Sequence, residues 1–118
     1  MTVPRELSSV QRILAEFRLL DPELPIQVAL LFVLVSLHEG ASPTTLEKRL
    51  RISRSSISRG AARLSRYGFG SKPGLGLIEM REDPMDRRYK RLFLTEAGRR
   101  LADKLAQLDS PPADSCAC

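Results

Sequence analysis

Apolar positions keep a helical period over most of this chain and switch to alternation over residues 77 to 94. Leu7, Val10, Leu14 and Phe17, with Ile13 beside them, form one stripe, while Arg5, Arg12, Glu16 and Arg18 take other faces. That pattern predicts an amphipathic helix from about Pro4 to Leu20. Asp21-Pro22 ends it, because a residue before proline is pushed out of the α region. A second helix is predicted from Pro25 to Glu39, capped by Gly40. Its run from Val28 to Val35 is apolar on every face, so it is expected to be buried almost all round. His38 lies in its last turn, where a cation is favoured near the helix C-terminus; that accounts for it better than catalysis or ligation.

Ser42-Pro43 begins a third helix, with Ser42 as N-cap and Pro43 at the first position. Leu46 and Leu50 face inward, and Arg51-Ile52-Ser53 forms a turn. A fourth helix follows at once, from Arg54 to Tyr67, capped by Ser53 and followed by Gly68. Two short helices joined by such a turn make a helix-turn-helix. With Ile57 as reference and about 100° per residue, Gly60, Ala61 and Leu64 face the core. Ser55, Ser58, Arg59, Ala62 and Arg66 project outward. Hydroxyls and arginines on a face without large apolar groups suit a DNA groove, and Arg59 has the fork that reads guanine O6 and N7. The inward Gly60 predicts close approach of another helix. Arg54, Ser56 and Arg63 complete the expected DNA-binding set on this helix.

Leu77 to Glu82 and Tyr89 to Leu94 read as two antiparallel strands. Ile78, Met80, Leu92 and Leu94 should share the buried face, and the turn between the strands carries Asp83-Pro84, Asp86, Arg87 and Arg88. Arginines at a hairpin tip beside a recognition helix can enter the adjacent minor groove. Thr95 then caps a last helix, from Glu96 to Leu108, with Ala97, Leu101, Leu105 and Leu108 on one stripe. Ser110-Pro111-Pro112 opens a polar tail.

The 118 residues allow one domain, and 5% aromatic residues with no Trp point to a core of Leu, Ile, Val and Ala. The fold class expected is α+β, mainly α. The net charge of +5 is unevenly spread. Residues 48 to 91 hold thirteen Lys and Arg against four acids, net +9, so the remainder is −4. A basic block joined to an acidic remainder marks a face that meets a polyanion.

Other classes find little support. Residues 1 to 17 lack the basic start and apolar core of a signal peptide, and the apolar run from Ile26 to Leu37 is too short for the roughly 20 residues a membrane span needs. A cytoplasmic location is expected. Cys116 and Cys118, duplicated in a dimer, would supply four thiolates, yet two ligands per chain in a polar tail do not define a zinc site. No metal, cofactor or enzyme activity is expected: the chain holds no nucleophile and base pair and no phosphate-binding loop.

The stretch Gly76-Leu77-Ile78-Glu79-Met80-Arg81-Glu82-Asp83-Pro84-Met85-Asp86-Arg87-Arg88, followed by Leu94-Thr95-Glu96-Ala97-Gly98-Arg99, resembles the wing of the MarR family of winged-helix regulators. The resemblance covers roughly residues 26 to 105. It implies that Asp86 orients a wing arginine and that Arg87 or Arg88 enters the minor groove, with Lys90 beside them. It implies that Ser55, Ser58 and Arg59 lie in the major groove. It also implies a homodimer that often represses transcription and is sometimes released by small aromatic ligands or oxidation; the sequence names no such effector.

Two departures stand out. Gly68 and Gly76 both look like the family's single glycine before the wing, so Phe69 to Leu75 is an insertion that is either a flexible loop or a spacer that shifts the wing. The family's pair of long C-terminal helices is reduced to one. Dimerisation is therefore expected to use both terminal helices, through Leu7, Val10, Leu14, Phe17, Leu101, Leu105 and Leu108. The organisation read is a dimerisation helix over 1–22, a winged helix-turn-helix over 23–95, a second dimerisation helix over 96–109 and a disordered tail over 110–118. The expected function is a sequence-specific double-stranded DNA-binding regulator. The alternatives are a non-specific nucleic-acid binder and a winged-helix adaptor that meets an acidic protein.

Overall fold

A computed structural model describes residues 5–68 and 70–108, with the backbone alone at Arg5, Arg87 and Arg88. The cysteines and the tail lie outside the described residues. Helix α1 spans Arg5–Leu20, α2 Ile26–Leu37, α3 Pro43–Leu50 and α4 Arg54–Leu64. Strands β1, Ile78–Asp83, and β2, Asp86–Leu94, precede α5, Glu96–Gln107. The mainly helical class with one small sheet is as expected.

Helix α2 sits at the centre, but only one side of it is buried. Val28, Ala29, Leu31, Phe32 and Val35 join the core, whereas Ile26, Leu30 and Leu37 are exposed. The expectation of all-round burial is corrected: the small domain covers α2 with α4 and the sheet and has no layer left for its outer face. Phe17 of α1 meets Phe32 edge to face at 5.8 Å between ring centroids. Leu46, Ile57, Leu64, Ile78 and Leu92 close the core around Phe32, all at 1% exposure or less.

The terminal helices divide the expected dimer set. Phe17 and Leu105 are buried in the chain's own core, and Leu101 and Leu108 pack against it. Within the subunit the α5 stripe is partly covered, with Leu105 buried, Leu101 and Leu108 half-buried and Ala97 exposed. Leu7, Val10 and Leu14 remain exposed on α1.

The strands pair antiparallel with Ile78 opposite Leu94, Met80 opposite Leu92 and Glu82 opposite Lys90. β2 starts at Asp86 rather than Tyr89, so Pro84 and Met85 alone form the turn. Asp83 shapes it by accepting the Met85 amide at 2.9 Å, as aspartate does two residues ahead of a turn amide. Met80, expected on the buried face, is half exposed near the wing's outer end.

Gly98 explains the spacing of the Leu-Thr-x-x-Gly stretch. Thr95 caps α5 by accepting the Gly98 amide at 3.0 Å and donates to the Gly76 carbonyl at 2.7 Å. The Leu77 carbonyl occupies the position a Cβ on Gly98 would take. Any side chain there would push the wing off the helix.

Candidate nucleic-acid interface

The turn between α3 and α4 is tight because Arg51 adopts a left-handed conformation, φ 58°, and its amide closes α3 on Glu47 at 2.7 Å. Ser53 then caps α4 by accepting the Ser56 amide at 3.2 Å. Both predicted caps of the helix-turn-helix, Ser42 and Ser53, are in place. Gly60 faces Leu31 of α2; an added Cβ would lie 2.9 Å from its Cδ2 atom. The close helix approach expected at Gly60 is therefore present, and it sets which side of α4 points outward.

On that outer side Ser55, Ser58, Arg59 and Arg66 are exposed, with Ser56 and Ala62 half-buried. Arg59 Nη2 donates to Ser56 Oγ at 3.2 Å. Arg54 is tied back to α3, pairing with Glu47 and donating to Thr44 Oγ1 at 2.6 Å. Arg66 lies over the Tyr67 ring, 5.1 Å from its centroid. A notch of about 280 Å³ joins this face to the wing, bordered by Thr44, Arg54, Ser58, Met80, Tyr89 and Lys90. Three expected contributors, Arg54, Ser58 and Lys90, thus meet around one depression. Thr44 and Tyr89 were missed in the sequence; a hydroxyl in the first turn of α3 and an outward tyrosine on the alternating strand were the signals available.

Arg63 is a correction. It is 8% exposed, paired with Asp21, and donates to the Pro73 carbonyl. Its guanidinium is taken up by these two contacts and is nearly closed off from solvent, unlike that of Arg59 one turn earlier.

The cause is the segment between Gly68 and Gly76. Helix α4 stops at Leu64, three residues short of Tyr67, because the Ser65 hydroxyl donates to the Ala62 carbonyl at 2.7 Å and accepts the Tyr67 amide at 3.1 Å. The chain then returns along the helix end. Leu75, Gly76 and Leu77 donate to the carbonyls of Arg63, Ser65 and Leu64 at 3.1, 3.1 and 2.7 Å. At Gly74 a Cβ would overlap the Ser65 carbonyl. Its described residues, 70 to 75, form a pad folded onto the end of α4.

The wing is anchored by a pair not anticipated. Asp83 accepts from Arg91 Nε at 3.0 Å, and Arg91 Nη1 reaches the Gly40 carbonyl at 2.8 Å. The Met85 amide first, then Arg91, hold the Asp83 carboxyl below the usual range. Asp86 stands opposite Asp83 in the register; the side chains of Arg87 and Arg88 lie outside the described residues.

A capped helix-turn-helix with an anchored two-stranded wing, with exposed serines and arginines on α4 and Arg54, Ser58 and Lys90 around one notch, defines a winged-helix nucleic-acid-binding module. The chain belongs to the winged helix DNA-binding domain family, which it matches over residues 25–98, more than half its length. Solved structures give the same fold. FabT of Streptococcus pneumoniae, in complex with DNA, shares 22% identity at a TM-score of 0.57, covering 72% of this chain and 56% of that one. A MepR mutant of S. aureus bound to an oligodeoxyribonucleotide shares 19% at 0.68, covering 87% and 69%. A MarR transcriptional regulator of Methanosarcina mazei Go1 shares 24% at 0.55, covering 75% and 57%. The MarR resemblance thus holds at the level of fold. The chain spans 56%, 62% and 64% of the length of FabT, of RV1404 from Mycobacterium tuberculosis and of Tm0710 from Thermotoga maritima, which share its fold. No curated protein is significantly similar in sequence. Among the described residues no helix is long and apolar enough to cross a membrane.

Proposed function

We propose that this protein is a cytoplasmic, sequence-specific double-stranded DNA-binding regulator of transcription, acting as a homodimer on a pseudo-palindromic operator and repressing by occupying a promoter. The observation that carries the reading is the outer face of α4. Its exposed Ser55, Ser58, Arg59 and Arg66 have the size and donor geometry for base edges, and Lys90 of the wing borders a notch with Ser58. Ser56 and Ala62 flank that face, Arg54 and Thr44 sit at its α3 edge, and Asp86, Arg87 and Arg88 occupy the start of β2. Membership of a DNA-binding family and the DNA complexes of two proteins of like fold support it. The exposed Leu7, Val10 and Leu14 of α1 are the candidate seam between subunits, and recognition helices would enter major grooves about 10 bp apart.

Selection of bound sequences from random duplex DNA tests this, followed by titration of the winner and a scrambled control at two salt concentrations. A two-fold-symmetric winner bound roughly 10³-fold above the control is the expected result. Equal binding with a steep salt slope would make the protein a backbone binder. Binding to neither would assign the basic face to an acidic protein partner.

A further inference from the structure

We propose that Arg63 is a positioning residue: by joining Asp21 to the end of α4 it fixes the angle between α1 and the recognition helix, and thereby the spacing of half-sites the dimer accepts. The inference rests on the dimeric DNA-binding reading above and names what regulates its geometry.

Asp21 is the first residue after α1, and Arg63 lies in the last turn of α4, 42 positions later. Both side chains are nearly closed off from solvent, Asp21 at 13% and Arg63 at 10% exposure. The Asp21 carboxylate is itself held, since its other oxygen accepts the Glu23 amide at 2.9 Å. Arg63 is held in turn by the Pro73 carbonyl of the pad. A second tie runs alongside, from Lys72 of the pad to Glu23 at 3.6 Å.

Phe17 on Phe32 seats this end of α1 by packing, and the ion pair joins it to α4 where packing leaves a gap. A cavity of about 320 Å³ lies beside it, bordered by Asp21, Pro25, Val28, Gly60, Arg63 and Lys72. The ion pair bridges a place where α4 and the start of α2 leave space. A buried ion pair adds little net stability over apolar side chains of similar volume; what this pair supplies is a defined direction between two elements.

That direction matters through leverage. At 1.5 Å per residue, Leu7 lies about 21 Å along α1 from Asp21. A swing of about 10° at the joint moves that end by about 3.5 Å, close to one base-pair step. If α1 carries the subunit seam, the Arg63 joint decides how far apart the two α4 helices stand.

The test uses the full chain as wild type, as Asp21→Asn, and as Asp21→Asn/Arg63→Met, which leaves no buried charge without its partner. Each is titrated against the selected site, against the same site with half-sites moved by one base pair either way, and against one half-site alone. Thermal melts accompany all three. The expected result is that the wild-type preference for its own spacing falls by about fivefold or more in both variants, a typical coupling between two sites. Single half-site affinity should stay within about twofold, inside the scatter of a change that touches no base contact. Were Asp21→Asn to fold poorly, the charge-free double variant would decide. Variants that keep the wild-type spacing preference overturn the joint and leave the dimer reading intact, as does a loss of affinity equal on half-site and full site. A wild type with no spacing optimum removes the dimer reading and the joint together.

Discussion

Arg59 and Arg63 lie on nearly the same side of α4, four residues and about 40° apart, yet one is open to solvent and the other is sealed. The first half of the helix carries Ser55, Ser58 and Arg59 outward from a serine cap; the second half carries Arg63 under the pad formed by residues 70 to 76. Helical phase is thus a sufficient guide only where nothing covers the helix. Here an insertion in the sequence seals one position, Arg63, beside an outer face on which Arg66 stays exposed.

The largest effect should come from prising the pad away. The Ser65 carbonyl and the Arg66 backbone stand where a Cβ on Gly74 would go, and backbone cannot move aside as a side-chain tip can. Gly74→Ala should destabilise the fold by about 3 kcal/mol, the upper range for forced overpacking, read as a lower urea midpoint. An unchanged midpoint would mean that the pad does not hold the helix end.

Next comes the open half. Arg59→Ala should leave the melting temperature unchanged, because the side chain is exposed and its one bond is to Ser56. It should cost about 2 kcal/mol of discrimination at one base-pair position, the worth of a bidentate guanine contact. Arg63→Ala should do the reverse, lowering thermal stability and the preference for one half-site spacing while leaving base preference within a half-site at the wild-type value. The pair of variants, compared by binding to the selected and scrambled duplexes, sharpens the contrast between the halves. If Arg59→Ala weakens all sequences equally, the outer half touches only phosphate.

What could be read from the chain, and what could not, follows the same division. Local signals carried the helix starts: Ser42, Ser53 and Thr95 cap as expected, since a cap needs only residues within one turn. The inward face of α4 was legible from Ile57, Gly60, Ala61 and Leu64. Non-local coverage was not. Burial of Arg63 depends on Asp21, 42 residues away, and on a pad whose own fold depends on contact with α4. For the same reason the stripe of α5 reads identically as dimer seam or as core. Only the tertiary placement of Leu105 against the body separates the two. On α2 the sequence overstated burial, because an apolar run does not say how many neighbours a small domain can supply.

A smaller effect tests the entry to the open half. Ser53 offers its hydroxyl to the Ser56 amide and touches Ser55 Oγ at 3.1 Å. Ser53→Ala should cost about 1 kcal/mol, as loss of an N-cap does. Since the frayed turn carries Ser55, affinity for the selected site should fall by more than the stability does. Equal losses would show that the first turn of α4 does not touch DNA.

The smallest effect lies in acid and compares the sealed half with the wing. The Glu23 amide and then the Arg63 guanidinium hold the Asp21 carboxyl below the ordinary range, and Asp83 is lowered in the wing by Met85 and Arg91. In the unfolded chain both return to ordinary values near pH 4. Between that value and the lower native one the unfolded state binds more protons, so stability falls as pH falls through the window and is flat with respect to these groups above about pH 5. Melting temperature measured from neutral to strongly acid pH should therefore decline only below about pH 4. Asp21→Asn should lower the neutral plateau and flatten the acid slope, because one of the two groups no longer titrates. Asp83→Asn should flatten the slope too, but, with its arginine partner half exposed, should lower the plateau less. A variant at Asp21 with the wild-type acid slope would show that its carboxylate gains nothing from Arg63 in the folded chain, and the sealed half would then rest on the pad's backbone hydrogen bonds alone.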